Sequence, residues 1–366
     1  MELTSRERLT RLFRGEEIDR IPIWLLAPYH RLIYYADIYH IPCYQPVVQA
    51  ISKYCDTFDR RRPEMGFCYN ANPEVHTKKI QEAEKTGTIV FFKDISFEKY
   101  TGKVNGITKN KFFVTDPGQL NEILKIPYYP PKPDLVEYKS EKQELGENGL
   151  FMMDLGDPLE VLYHLCSAQD FSMWTLTDFD ILTTFIDEMY QRVLALYQYF
   201  LENEAADVYF IVGAEFAGPP LVSPVLFNTL CSKYVKGIVD LIHQYGKYAI
   251  VHYHGNLLKV LSGIKDIAPD GLHTVESPPI GNCTIQQARD ILGKEMTLIG
   301  NIQYDDLIRK SPDEIEMMVK EAINQGQSGK FILSPTAGPY ESFLQPQAVA
   351  NYLAFIEAGI KYGKLS

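Results

Sequence analysis

Tyr248-Ala249-Ile250-Val251-His252-Tyr253 reads as a buried strand, because it is short, mostly apolar and bounded by polar residues. A helical stretch near 257–267 follows, then a second apolar run over 271–275, a helix over 285–292 and a third run at 297–299. Strands that alternate with helices at this spacing predict parallel βαβ units. Working outward, the rhythm extends to strands at 150–155, 208–212 and 330–333, and to helices near 179–202, 224–244, 312–325 and 346–362. Towards the N-terminus, Ile21-Pro22-Ile23-Trp24-Leu25-Leu26 and a run near 65–69 bring the strand count to eight. Eight such strands predict an α/β fold closed as a (β/α)8 TIM barrel, with residues 1–366 forming one domain.

Residues 70–130 have a different texture. Alternating segments at 79–83, 88–93 and 111–114 are separated by Thr86-Gly87 and Asn105-Gly106, dipeptides that suit hairpin turns. They predict an inserted antiparallel β-hairpin subdomain after the second strand. Tyr128-Tyr129-Pro130-Pro131-Lys132-Pro133 is a stiff connector into a polar helix that ends near Gly146. The chain opens with a helix over 4–13, where Thr4 and Glu7 have capping-box spacing and Gly15 is the stop. A second helix is expected over 46–55.

Composition excludes several function classes. Lys and Arg number 36 against 47 Asp and Glu, a net charge of −11 without a basic stripe. Such a chain is a poor ligand for nucleic acid or an anionic membrane. No apolar run approaches the ~18–20 residues that span a bilayer. Met1–Arg8 is charged and has no signal-peptide apolar region. The six cysteines, Cys43, Cys55, Cys68, Cys166, Cys231 and Cys283, form no CxxC pair and read as reduced thiols of a cytoplasmic protein. No Walker A, GxGxxG or EF-hand pattern is present. A small molecule or another protein is the expected partner.

The order of local signatures resembles the uroporphyrinogen decarboxylase superfamily. The opening Thr4-Ser5-Arg6-Glu7-Arg8, then Asp19-Arg20-Ile21-Pro22, is similar to its usual start. Val251-His252-Tyr253-His254-Gly255-Asn256 resembles its His-x-Cys or His-x-His strand end. Gly300-Asn301 with Ser311-Pro312-Asp313-Glu314-Ile315, Gly329-Lys330-Phe331-Ile332-Leu333-Ser334-Pro335, and the closing Ala358-Gly359-Ile360-Lys361-Tyr362-Gly363 complete the series. True uroporphyrinogen decarboxylases carry an Arg-Gln-Ala-Gly-Arg-Tyr motif after the first strand. Here that stretch is Ala27-Pro28-Tyr29-His30-Arg31-Leu32, and only Arg31 survives of the two arginines. A porphyrinogen with many carboxylates needs several cations, so the chain looks instead like the corrinoid-linked methyltransferase branch.

That resemblance implies zinc, which the branch holds with His-x-Cys, often a Glu, and a late Cys. His252 and His254 occupy the His-x-Cys positions, Glu276 follows the next strand, and Ala337 stands where the late Cys belongs. Residues i and i+2 of a strand point the same way, so both imidazoles can face one ion. A His₂Glu set with an open position is a catalytic zinc pattern. With fewer thiolates the ion is a stronger Lewis acid, suited to an oxygen leaving group such as that of a phenyl methyl ether. The methyl would pass to the cobalt of a corrinoid on a separate protein, since the chain lacks the Asp-x-His-x-x-Gly cobalamin signature. A homodimer is the assembly suggested by analogy with the superfamily.

Glu215, at the rim after the 208–212 strand, is expected as general acid or further metal ligand, or else as a carboxylate that caps its loop, with Tyr29 and Arg31 as catalytic neighbours. His30, Asp154, Asn301, Ser334 and Tyr340 are expected to meet the substrate, although Asp154 could instead cap the helix begun by Asp157-Pro158 and Asn301 could fix its own turn. Two other readings stay open. One is a metal-free lyase, akin to the decarboxylase, using His252, Arg31 and Glu215 on a carboxylated molecule; the other is a barrel that has lost its metal site and catalyses nothing.

Overall fold

The computed structural model describes residues 2–32, 35–104 and 107–365. Its centre is a curled parallel sheet of seven strands: β1 Phe58–Arg61, β6 Leu150–Asp154, β7 Val208–Ile211, β8 Tyr248–His252, β9 Gly271–His273, β10 Thr297–Ile302 and β11 Phe331–Pro335, neighbours in that order. The four remaining strands, β2 His76–Glu82, β3 Lys85–Phe92, β4 Ile95–Val104 and β5 Ile107–Lys111, form a separate antiparallel sheet within the expected insertion.

The architecture is TIM-barrel-like, but an eighth strand is not formed as expected. Residues 21–26 touch β11 through a single parallel bridge, Ile23 to Leu333. On the other side the Ile23 carbonyl accepts from the Asp56 amide at 2.7 Å, just before β1. The 65–69 run is not a strand either. Gly66, Cys68 and Tyr69 all have positive φ, which breaks an extended path. The strand in that region is Phe58-Asp59-Arg60-Arg61, paired with β6.

Inward-facing side chains alternate along each strand and build the interior in layers. Trp24, Phe58, Met152, Val208, Phe210, Ile250, Ile299 and Ile332 share one buried apolar cluster. Leu9, Leu12 and Phe13 of the helix Ser5–Arg14 belong to the same cluster, and Phe13 stacks on Tyr248 at 4.7 Å. That helix has the expected capping box, and Gly15 closes it at φ 71°. Advancing the inward alternation by two residues gives Arg60 after Phe58, Asp154 after Met152, His252 after Ile250 and Ser334 after Ile332. A polar layer therefore caps the apolar one at the C-terminal ends of the strands, where this architecture carries its chemistry.

The helices Phe179–Glu202, Ile285–Leu292 and Pro346–Tyr362 match their predicted bounds, and Val136–Leu145 ends at Gly146 as expected. The 224–244 helix is interrupted: regular α-helix begins only at Lys233. In the insertion, Thr86-Gly87 is not the turn. Glu82 pairs with Lys85, so the chain reverses at Ala83-Glu84. Gly87 lies inside β3, where a Cβ would fall 2.2 Å from the Lys99 carbonyl. Asn105-Gly106 lies outside the described residues. Among the described residues no helix is long and apolar enough to cross a membrane, and the six cysteines are free thiols.

Candidate active site at the barrel mouth

The register of two neighbouring strands creates the centre of the site. His252 ends β8 and His273 ends β9, and the two are direct partners. Their rings stack at 5.0 Å and 19°, and Nδ1 meets Nδ1 at 2.8 Å. His273 Nε2 lies 3.3 Å from the Pro335 carbonyl, which also accepts from Ser334 Oγ at 3.0 Å. Burial, reinforced by His254, His273 and Arg60, drives His252 well below the ordinary histidine range. Burial, with the charges of His254 and Arg60, takes His273 down to about 3. Both imidazoles are neutral at physiological pH.

His254 behaves oppositely. Its ring stands perpendicular to that of His252 at 4.5 Å, and its Nδ1 pairs with Glu276 Oε1 at 3.1 Å. Burial lowers His254, but Glu276 and then Glu215 outweigh it and raise the imidazole above its usual value. Glu276 is buried, which pushes its carboxyl up; His254, the Gly255 amide at 2.6 Å and Gln303 overcome that and hold it low. The result is a His254–Glu276 pair, made through His254 Nδ1 and anchored to backbone and to Gln303.

Glu215 sits at the rim in the short turn Ala214–Ala217 after β7. Its Oε2 accepts from the Gly213 amide at 3.1 Å. Burial raises its carboxyl to about 7, only partly offset by backbone donors and His254. Gly213 makes the turn possible: its φ is 132°, and a Cβ there would lie 2.1 Å from Asp157 Oδ1. Gly213→Ala should therefore cost about 1–3 kcal/mol of stability, readable as a fall in urea midpoint. A midpoint equal to the wild type's would show that the turn relaxes freely.

Asp154 is fully buried in the mouth. It accepts from Arg60 at 2.5 Å and from Arg62 at 3.3 Å, while Arg62 also reaches Glu160 at 2.9 Å. The helix cap is Asp157, whose side chain accepts from the Glu160 amide. Arg60 lies 4.5 Å over the Phe210 ring and contacts the Tyr35 hydroxyl at 3.4 Å. Tyr340, half-exposed at the rim, packs on the buried Tyr35 and on Tyr304 at 5.5 and 5.6 Å. Asn301 donates to Ser277 Oγ at 2.8 Å and fixes the loop after β9. That loop borders a cavity of about 490 Å³ lined by Asn301, Gln303, Pro279, Ile280, Met317 and Met318, a size suited to a small ligand.

The structure does not bring Tyr29, His30 and Arg31 to this group. Asp59 faces outward on β1, one residue out of phase with Arg60, and clamps the Tyr29 and His30 amides and the His30 ring at 2.6–3.0 Å. Arg31 is exposed and pairs with Asp37 at 3.6 Å. Conversely, His273, Arg60, Arg62 and Gln303 belong to the site without having been singled out from sequence. The signal for Arg60 was its two-residue spacing from Phe58, once β1 is placed correctly.

Zinc requires three or four donors converging at about 2.0–2.3 Å. Among the described residues no three His, Cys, Asp or Glu side chains form such a group. His252 gives Nδ1 to His273, His254 gives Nδ1 to Glu276, and the late thiolate is replaced by Ala337. The expected ligands are near one another but are satisfied pairwise, so as arranged they do not fit a preformed zinc centre.

A curled α/β sheet with its titratable groups at the strand ends defines a TIM-barrel-like class of fold. Within it, the chain belongs to the uroporphyrinogen decarboxylase (URO-D) family, whose profile matches residues 139–360. Among solved structures, it resembles a methyltransferase from Methanosarcina mazei with a TM-score of 0.64 at 18% identity, over 99% of each chain. A D-psicose 3-epimerase from Clostridium cellulolyticum H10, with D-tagatose, has a TM-score of 0.38 at 11% identity, over 68% of this chain and 94% of that one. The latter similarity is too slight to carry an argument. The comparison with curated proteins finds no match.

Proposed function

We propose that the protein is a methyltransferase that takes a methyl group from a small, uncharged O-methyl compound and passes it to the cobalt of a corrinoid held by a separate protein. The observation that carries this reading is the placement on one rim of His254, held by Glu276 at 3.1 Å and raised above its usual value, and of Glu215, whose carboxyl burial lifts to about 7. Removing a methyl from an ether oxygen leaves an alkoxide or phenoxide, which needs a cation or donor as the bond breaks and a proton afterwards. His254 Nε2–H supplies the first and Glu215 the second. The corrinoid supplies the nucleophilic electron pair that forms the cobalt–carbon bond as the carbon–oxygen bond breaks.

The charges of the mouth favour an uncharged substrate over a carboxylated one. Arg60 and Arg62 are engaged by Asp154 and Glu160, and His254 by Glu276. Among the described residues of the mouth no surplus cation is left for substrate carboxylates, which weighs against the lyase reading. Tyr340, exposed at the rim, offers a face to an aromatic ring.

The test is spectrophotometric methylation of a cobalt(I) corrinoid by the purified chain with a panel of methyl phenyl ethers. The wild type is expected to form methyl-cobalt, and His254→Ala to lose roughly hundredfold in rate. Elemental analysis of the same sample should find zinc well below one per chain. No transfer from any ether, with carbon dioxide released from a carboxylated analogue, would replace this function by the lyase. One zinc per chain, lost in His252→Ala, would return the electrophilic role to a metal.

A further inference from the structure

We propose that His273 is a positioning residue: it holds His252 as the Nδ1–H tautomer and thereby presents an unprotonated His252 Nε2 to the mouth. Hydrogen-bond accounting fixes the direction. A carbonyl oxygen only accepts, so the His273 Nε2 facing Pro335 at 3.3 Å carries a hydrogen. An Nδ1-to-Nδ1 contact of 2.8 Å holds one proton between two nitrogens. Were that proton on His273, the ring would be an imidazolium, 1% exposed and flanked by Trp24 and Phe210. Burying such a charge without a carboxylate partner is costly. The proton therefore sits on His252 Nδ1, and its Nε2 keeps the lone pair.

The surroundings strengthen the arrangement. Pro335 supplies a carbonyl and no backbone N–H, so it cannot reverse the chain of donors. Ser334 donates to the same oxygen at 3.0 Å, filling its second lone pair. Trp24 and Phe210 flank the His273 ring at 5.5 and 5.8 Å and restrict its rotation. His252 itself is only half-buried and has no recorded partner at Nε2 among the described residues. The mouth thus offers an acceptor, His252 Nε2, beside the His254 donor. The ligand feature that fits the acceptor is an O–H or N–H next to the reacting oxygen. This last step rests on the proposed function; the tautomer does not.

The test is a long-range proton–nitrogen correlation spectrum of protein labelled with ¹⁵N-histidine, with His252 assigned by its loss in His252→Gln. The wild type should show a pyrrole-type Nδ1 and a pyridine-type Nε2 for His252. His273→Gln, whose amide can both accept from His252 and donate to Pro335, should preserve that pattern. His273→Phe should shift the tautomer ratio by up to about tenfold, the worth of one buried hydrogen bond. A wild-type His252 protonated at Nε2 would overturn the proposal, as would a folded His273→Phe protein whose His252 signals are unchanged. If His273→Phe does not fold, the wild-type and His273→Gln spectra decide alone. Methyl transfer enters none of these readouts, so this proposal and the function can fail separately.

Discussion

Asp56→Ala is expected to lower the unfolding free energy by about 3–5 kcal/mol, the range found when one member of a buried ion pair is removed. Asp56 is fully buried and holds Arg8 at 2.6 Å with one oxygen. The other oxygen holds Arg20 at 2.7 Å and the Ile23 amide at 3.0 Å. Its own amide donates to the Ile23 carbonyl at 2.7 Å. One aspartate thus pins the segment that fills the gap between β11 and β1, where regular strand pairing amounts to a single bridge. Removing the carboxylate leaves the nearly buried Arg8 guanidinium with Asp19 as its carboxylate partner and the Ile23 amide without an acceptor. Asp56→Asn keeps an acceptor for that amide and should lose less. Urea unfolding of the three proteins checks the order. A loss below about 1 kcal/mol for the alanine variant would mean that packing of Trp24 and Leu26 closes the ring unaided.

That segment shows where sequence and structure part company. Apolar runs such as Phe331–Pro335 and Val208–Ile211 were legible because strands of a doubly covered parallel sheet are apolar on both faces. The first helix declared its own start through the Thr4–Glu7 capping box, which the structure forms. β1 was not legible. Three charged residues in Phe58-Asp59-Arg60-Arg61 look like a loop, yet each is satisfied: Asp59 and Arg61 outward by His30 and Glu141, Arg60 inward by Asp154. Hydropathy counts such residues as exposed because it cannot see their partners. The apolar 65–69 run misled for the converse reason, since its left-handed residues fold it over Leu155, to whose carbonyl Tyr69 donates.

The site was legible where chemistry travels with a local signature and hidden where it depends on register. His252, His254, Glu276 and Glu215 came from short motifs, and they do gather at the mouth. His273 is 21 residues from His252, and only the pairing of β8 with β9 makes them neighbours. The Tyr29-His30-Arg31 expectation rested on the family's arginine motif. Ala27 stands in place of the first arginine, and Asp59 holds the Tyr29 and His30 amides away from the mouth. Arg60 and Arg62 now supply the cations of the mouth, but bound to Asp154 and Glu160 they order the site and leave no charge for carboxylates.

Glu215→Gln should cut methyl transfer by about 10²–10⁴-fold, the usual range for a general acid or base, with the loss in kcat. The amide still accepts from the Gly213 amide, so the turn is kept and only the transferable proton is removed. The pH dependence follows from the same carboxyl. Burial first, against backbone donors and His254, puts it near 7. The acid form therefore prevails below that pH, and the wild-type rate should decline above it, a decline absent from the residual activity of the variant. Stability should move the other way. The folded value lies above the ordinary 4.5, so between these two values the native state binds more protons than the unfolded chain, and stability falls as pH rises through that window. Glutamine does not ionise, so Glu215→Gln should gain stability relative to the wild type between pH 5 and pH 8 while remaining the slower enzyme. A variant with full activity would remove Glu215 from the mechanism. Loss of activity with an unchanged pH profile of stability would place the carboxyl in a solvated position instead, and its raised value could not then be the source of the proton.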